Sequence, residues 1–166
     1  MNRSATEPTP IPASADNGVV SHAIFRMTRL HKLRAGQLLR EVGLHPAQEL
    51  VMMQLWDSGR QRQTDLVRQL GSDAATMTRT IQRLENAGFV RRLPCDDDKR
   101  VTLVESTEAG SALRPRVDAL WSELEADTVR GLSPAERTLF LGLLNRTETT
   151  LATAVDTAGA STTDRK

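Results

Sequence analysis

From residue 21 to 40 apolar side chains recur at Ile24, Met27, Leu30 and Leu33, the spacing of one helix face. Gly43 interrupts that rhythm. His45-Pro46 opens a second helical stretch, with proline at a tolerated first position, and Leu50, Met53 and Trp56 carry it to a stop at Ser58-Gly59. Two short helices follow. The first, over about 62–70, turns Leu66, Val67 and Leu70 inward and ends at Gly71. The second takes Asp73 or Ser72 as its N-cap and runs to about Ala87. Its apolar positions, Met77, Ile81 and Leu84, form a single stripe, and Thr76, Thr78, Arg79, Thr80, Gln82 and Arg83 occupy the rest of its surface. Gly88 is placed to end it in a left-handed conformation.

The period then changes. In FVRRLP and RVTLVE apolar and polar residues roughly alternate, and between them lies the polar run Cys95-Asp96-Asp97-Asp98-Lys99-Arg100. This predicts a β-hairpin with a charged tip. Helix resumes near 108 with Leu113, Val117, Leu120 and Leu124 in one stripe, bent or delayed by Pro115. A last helix opens on the capping box Ser133-Pro134-Ala135-Glu136 and carries Leu139, Phe140, Leu143, Leu144 and Leu151. Residues 1–20, rich in proline and small polar side chains, and residues 152–166 lack an apolar period and are expected to be disordered tails. The order helix, helix, helix-turn-helix, hairpin, helix, helix defines a mainly α fold with a small β-hairpin wing.

Two short helices joined at a glycine and followed by a hairpin make a winged helix-turn-helix. Reading duplex DNA requires a second helix that anchors one stripe in the core and offers short polar and Arg side chains to base edges and phosphates. Arg79 and Arg83, four apart, lie one above the other on the outward face, and either can take a guanine bidentately or hold a phosphate. Thr76 and Thr78 sit near the helix start, and Gln82 lies beside Arg83. At the hairpin tip Lys99 and Arg100 supply cations for phosphates or a narrow minor groove.

The run LVRQLGSDAATMTRTIQRLENAGFVRR, then DDDKR, then VTLVESTEAG, resembles the multiple-antibiotic-resistance regulator (MarR) family. The family's L-A-x-x-L, V-T-R, L-E-x-x-G-(L/F)-V-x-R, D-x-R and L-T-x-x-G motifs are met in order and spacing. They fall on Leu66 to Leu70, Met77-Thr78-Arg79, Leu84 to Arg92, Asp98-Lys99-Arg100 and Thr107 to Gly110. Three positions depart from the pattern: Val67 stands for the usual Ala, Ser106 for a Leu, and Lys99 for an Arg common at the wing tip. The resemblance spans about 21–151 and implies a winged helix-turn-helix over 60–106 between dimerisation helices at 21–57 and 107–151. It makes Lys99 the minor-groove probe and Asp98 with Arg100 the brace of the loop. Lys lacks Arg's planar fork, so weaker discrimination of groove shape is expected.

The resemblance also implies a homodimer on a pseudo-palindromic operator, with reading heads ~34 Å apart. The stripes at 113–124 and 139–151 and Trp121 suit that interface; the alternative, an ordinary monomer core, is opposed by how few residues lie outside the winged helix. A small aromatic or anionic effector is implied as well, and Phe25, Arg29, His31, Met52, Trp56 and Trp121 are its candidate pocket. Tenfold release would require a preference of about 1.4 kcal/mol for the non-reading conformation. The function expected is a DNA-binding transcriptional repressor released by a small molecule. The alternatives are a winged-helix module for a protein partner and a redox-responsive regulator acting through Cys95. The outward Thr and Arg side chains oppose the first. Neighbouring acids, which disfavour a thiolate, oppose the second.

Other chemistry is excluded on residue types. His22, His31 and His45 lack metal-site spacing and Cys95 has no second cysteine, so neither a metal nor another cofactor is expected. There is no P-loop, no GxGxxG and no HExxH, and all three His fall in the first 45 residues, so an enzyme is not expected. Tyrosine is absent and aromatics total 3%, which disfavours a single-strand binder that stacks bases. With 166 residues, one cysteine and no bilayer-length apolar run, the chain fits one cytoplasmic, non-membrane domain. The net charge is only +1, but residues 21–40 hold five Arg or Lys and no acid, and residues 60–104 hold nine bases against six acids. Basic segments within a near-neutral chain suit one electropositive face.

Overall fold

The structure, a computed structural model, describes residues 17–95, 98 and 100–163. The elements are α1 (Val19–Glu41), α2 (Gln48–Ser58), β1 (Gln61–Arg62), α3 (Gln63–Gln69), α4 (Ala74–Asn86), β2 (Val90–Pro94) and β3 (Thr102–Ser106), then α5 (Glu108–Ala112), α6 (Arg114–Val129) and α7 (Pro134–Thr163). The chain divides into two compact units, residues 1–124 and 125–166.

In the first unit the core is built from one face of each element. Leu38 and Leu39 of α1, Val51, Met52 and Leu55 of α2, and Leu66 of α3 meet the α4 stripe Met77, Ile81 and Leu84, all nearly or fully buried. Leu113, Val117, Leu120 and Leu124 close the same cluster. The stripe at 113–124, expected at a dimer interface, is instead packed into the core of this unit. On α1 the buried positions are Gly36, Leu38 and Leu39, and the periodic residues nearer its start, Met27, Leu30 and Leu33, stay exposed.

Antiparallel β2 and β3 pair Val90 with Ser106 and Leu93 with Leu103, giving the expected hairpin. A third strand, β1, adds Gln61 opposite Val104. Two residues of polar sequence carry no alternation, so this strand had no sequence signal. Gly88, at φ 78°, ends α4 in the left-handed region as its position predicts. Pro115 acts as a break: α5 stops at Ala112 and α6 begins at Arg114.

Three boundaries differ from the sequence expectation. The second helix begins at Gln48, not at Pro46, because Ala47 takes a left-handed φ of 74° and the Gln48 side chain accepts from His45 N at 2.8 Å. Residues 17–20, placed in the N-terminal tail, already form a 3₁₀ turn and the start of α1, whereas residues 1–16 lie outside the described residues. In the second unit α7 runs on to Thr163, well past the expected end at 151. No proline follows Pro134, and Thr149, Thr150, Thr153 and Thr157 each donate a hydroxyl to the carbonyl four residues back. Those local bonds satisfy the polar side chains that made this segment look like a tail. The helix starts on the predicted capping box: Ser133 N donates to Glu136 Oε2 at 2.8 Å, and Glu136 N to Ser133 Oγ at 3.4 Å.

Candidate nucleic-acid interface

Helix α4 is fixed in three ways. Its stripe is buried, and Asp73 caps its start by accepting from Thr76 N at 2.8 Å. The Thr76 bonds hold the Asp73 carboxyl below its ordinary value. At the far end Arg92 of β2 donates to Glu85 from its backbone N at 3.2 Å and from Nε at 2.9 Å, and also bonds Gln82. The Arg92 side-chain bond, ahead of the backbone bond and the Coulombic attraction, keeps Glu85 below its usual range. Third, Gln63 Nε2 of α3 donates to Thr78 Oγ1 at 2.8 Å. That hydroxyl in turn donates to Ala74 O at 2.7 Å.

These bonds sort the predicted reading residues. Arg79 and Arg83 are exposed and carry no ion pair among the described residues, though Arg79 Nη2 leans on Thr76 Oγ1 at 3.2 Å. Both guanidiniums therefore remain available to an anionic partner. Thr76 is half-buried and takes that Arg79 bond. The exposed Thr78 has its hydroxyl engaged between α3 and α4. Gln82 is engaged too, accepting from Arg92 and donating to Asn86 Oδ1 at 2.9 Å. Gln63 had no motif to mark it; a Gln at a helix start reads as ordinary solvated surface.

At the wing, Arg100 N donates to Asp98 Oδ1 at 2.9 Å, and Arg100 Nε lies 3.5 Å from the same oxygen. The loop closes through Cys95 N to Val101 O at 3.0 Å. Lys99, the expected probe, lies outside the described residues. Cys95 is half-buried. Among the described residues no group of three or more His, Cys, Asp or Glu could hold a metal.

The six effector candidates do not gather. Phe25 and Arg29 are exposed on α1, and Met52 is fully buried in the core. Trp56 Nε1 donates to Gly110 O at 3.2 Å and borders a separate depression with Arg60, Glu105 and Arg114. His31 and Trp121 share a cavity, one also lined by Lys32 and Glu49. Desolvation raises the Glu49 carboxyl above its ordinary value, partly offset by the backbone N–H groups of Glu49 and Ala47. Of the sequence departures, Val67 packs against the core and Ser106 Oγ donates to Thr107 O at 3.1 Å.

A helix pair, a hairpin packed behind it, and two exposed Arg on the second helix with no ion pair among the described residues define a winged helix-turn-helix protein. The profile of the MarR family matches residues 44–102. Over 85 residues the chain is 35% identical to the HTH-type transcriptional regulator PecS of Dickeya dadantii, an alignment covering 51% of each protein. The match thus spans about half the length of that curated relative. The structure of Bordetella bronchiseptica BpsR, whose DNA binding is regulated by 6-hydroxynicotinic acid, is similar at TM-score 0.72 and 28% identity. That similarity covers 84% of this chain and 98% of BpsR. A mutant MarR from E. coli complexed with operator DNA superposes at TM-score 0.75 and 22% identity, over 82% of this chain and 99% of MarR, a likeness of fold.

Proposed function

We infer that this chain is a sequence-specific DNA-binding transcriptional regulator of the MarR type, a repressor and not an enzyme, acting in the cytoplasm. The observation that carries this is the exposed pair Arg79 and Arg83, without an ion pair among the described residues, on a helix whose other face is sealed into the core. In this reading α4 lies in the major groove with Arg79 and Arg83 on bases or phosphates, and Thr76, Thr78 and Gln82 border the contact. Lys99 and Arg100 serve the backbone or minor groove, with Asp98 bracing the loop. The 2.9 Å bond from Arg100 N to Asp98 supports that brace.

The reading includes a homodimer and a small-molecule effector. Exposed apolar residues on α1 (Val20, Phe25, Leu30, Leu33) and on α7 (Leu139, Leu141, Leu143, Leu151) support the first. Regulation of BpsR by a small heteroaromatic acid, together with the cavity beside His31 and Trp121, supports the second. Among the described residues no helix is long and apolar enough to cross a membrane.

The test is fluorescence anisotropy on duplex DNA from upstream of the protein's own coding region and on scrambled DNA, from 50 to 200 mM salt, taken as a range over which phosphate contacts register as about 10³–10⁵ in affinity. Selective binding with a steep salt slope is expected. Arg79→Ala should cost ~1–3 kcal/mol and relax sequence preference, whereas Lys99→Ala should weaken all sequences alike and reduce the salt slope by about one. Unchanged operator affinity in Arg79→Ala would refute this assignment of the reading face.

A further inference from the structure

Thr78 lies on the exposed side of α4, and its hydroxyl is already engaged from two directions. A hydroxyl has one hydrogen to give. Thr78 Oγ1 gives it to Ala74 O at 2.7 Å and accepts from Gln63 Nε2 at 2.8 Å. Threonine in a helix divides between two χ1 wells, and the bond to the carbonyl four residues back favours one of them. The amide of Gln63, on α3, adds a second bond that holds the same well. With its hydrogen turned into the helix, the hydroxyl has nothing to donate to guanine N7 or O6. What the exposed Thr78 has left to present is one lone pair and its γ-methyl. Ala74 and Ala75, four and three residues earlier and both exposed, lie on the same face and add two more methyls. Other polar side chains nearby are occupied as well: Thr76 accepts from Arg79 at 3.2 Å, and Gln82 bonds Arg92 and Asn86. The start of α4 therefore offers a methyl surface flanked by the Arg79 guanidinium.

We propose that Gln63 is a specificity-setting residue: by locking the Thr78 hydroxyl it makes the Thr78 methyl, beside Ala74 and Ala75, a reader of the 5-methyl group of thymine. This inference rests on the reading given under Proposed function, in which α4 enters the major groove. There the thymine methyl is the apolar group that a base pair presents, and alanine or threonine methyls make apolar contact with it. Two methyls that meet remove each other's surface from water, whereas a pyrimidine without the methyl leaves that surface wet. An unlocked threonine hydroxyl would be a tolerant reader, since it can rotate to give or take a hydrogen bond at different bases. Gln63 removes that tolerance through Thr78 and does so without touching DNA itself, which makes it a positioning residue. Arg79 supplies a cation beside the methyl surface, so neighbouring base pairs are read by different chemistry.

The experiment starts from duplexes that the full chain selects out of a random-sequence DNA pool. In the tightest of them each thymine is replaced in turn by deoxyuridine, which removes one methyl and no hydrogen-bonding group, and affinity is read by fluorescence anisotropy. At least one thymine should be sensitive, by about fourfold, the size of one buried methyl. Thr78→Ser, which keeps the hydroxyl and drops the methyl, should bind the thymine and deoxyuridine duplexes alike at that position. Thr78→Val drops the hydroxyl and stays stiff at χ1, so it should keep the difference. Gln63→Met, which keeps length and removes the donor, should narrow it. Thermal melts check that the variants fold, and the ratio of two duplexes on one variant is unaffected by a partial loss of folded protein. No sensitive thymine, sensitivity that survives Thr78→Ser at every position, its loss in Thr78→Val, or full sensitivity in Gln63→Met would each overturn the proposal. Failure to select any duplex would overturn the reading of this chain as a DNA-binding protein, and this inference with it. Selective binding that ignores the thymine methyl would remove this inference alone.

Discussion

Glu49 sits in the first turn of α2, where an acid is ordinarily welcome beside the backbone N–H groups, yet α1 and α6 lie over it and exclude water. In sequence it is one acid in QELVMM, and nothing local distinguishes it from a solvated first-turn carboxylate. Its burial arises only from elements far along the chain. Because desolvation raises its folded value above the unfolded one, the native state holds the extra proton more tightly, and stability falls as pH rises through the window between the two. Glu49→Gln should therefore melt higher than wild type at pH 7, with the gap closing as pH falls below the unfolded value to about pH 3, where the acid is protonated in both states. Thermal scans across pH measure this, and a gap independent of pH would contradict it. Gly110 is the opposite kind of constraint, set by space. A Cβ there would stand 2.0 Å from Phe89 O, a backbone atom that cannot swing aside. Gly110→Ala should destabilise by about 3 kcal/mol or more, at or beyond the upper end of overpacking effects, as read by urea denaturation. The family motif marks this glycine, but its reason, the approach of α5 to the start of β2, is visible only in three dimensions.

At the scale of elements, those with strong periodicity were legible. The α4 stripe, the hairpin and the break near Pro115 follow from single-residue physics: apolar spacing, alternation and a missing N–H. Weakly patterned pieces were not legible. β1 has two residues and no alternation, and the late part of α7 carries no apolar period, its Thr hydroxyls being satisfied by their own helix. What joins α4 to the wing was partly readable, since Glu85 and Arg92 lie in one family motif. The structure adds that Arg92 binds Glu85 from both backbone and side chain. The Glu85 carboxyl lies below its ordinary 4.5, so its contribution is present above that value and lost as pH falls through the depressed one. Glu85→Gln should flatten the acid limb of the stability curve, and at neutral pH it should loosen amide-exchange protection at the α4–β2 junction. Unaltered exchange at Arg92 would mean the latch is not carried by this pair.

For the whole molecule, the informative outcome is how the apolar stripes divide. Residues 113–124 are consumed inside the first unit, while Leu139 and Leu143 on α7 remain 62% and 46% exposed. Sequence alone could not tell these stripes apart, because an amphipathic helix shows the same spacing whether it faces its own chain or another. If α7 is the dimer surface, Leu139→Glu with Leu143→Glu should move the sedimenting species from about twice 18.3 kDa to a single chain. Loss of the second reading head should then weaken operator binding by about 10²-fold or more. A dimer that survives both charges would place the interface elsewhere.

The hydrogen bond from Gln63 to Thr78 has a consequence for re-engineering. It makes the two helices of the helix-turn-helix share one hydroxyl, so that hydroxyl belongs as much to α3 as to α4. Grafting a foreign recognition helix onto this scaffold would strand Gln63 without its acceptor and let the graft settle at its own tilt. Altered specificity should therefore be sought by transplanting both helices as one cassette, or by choosing donor sequences that keep a Thr or Ser at the shared position.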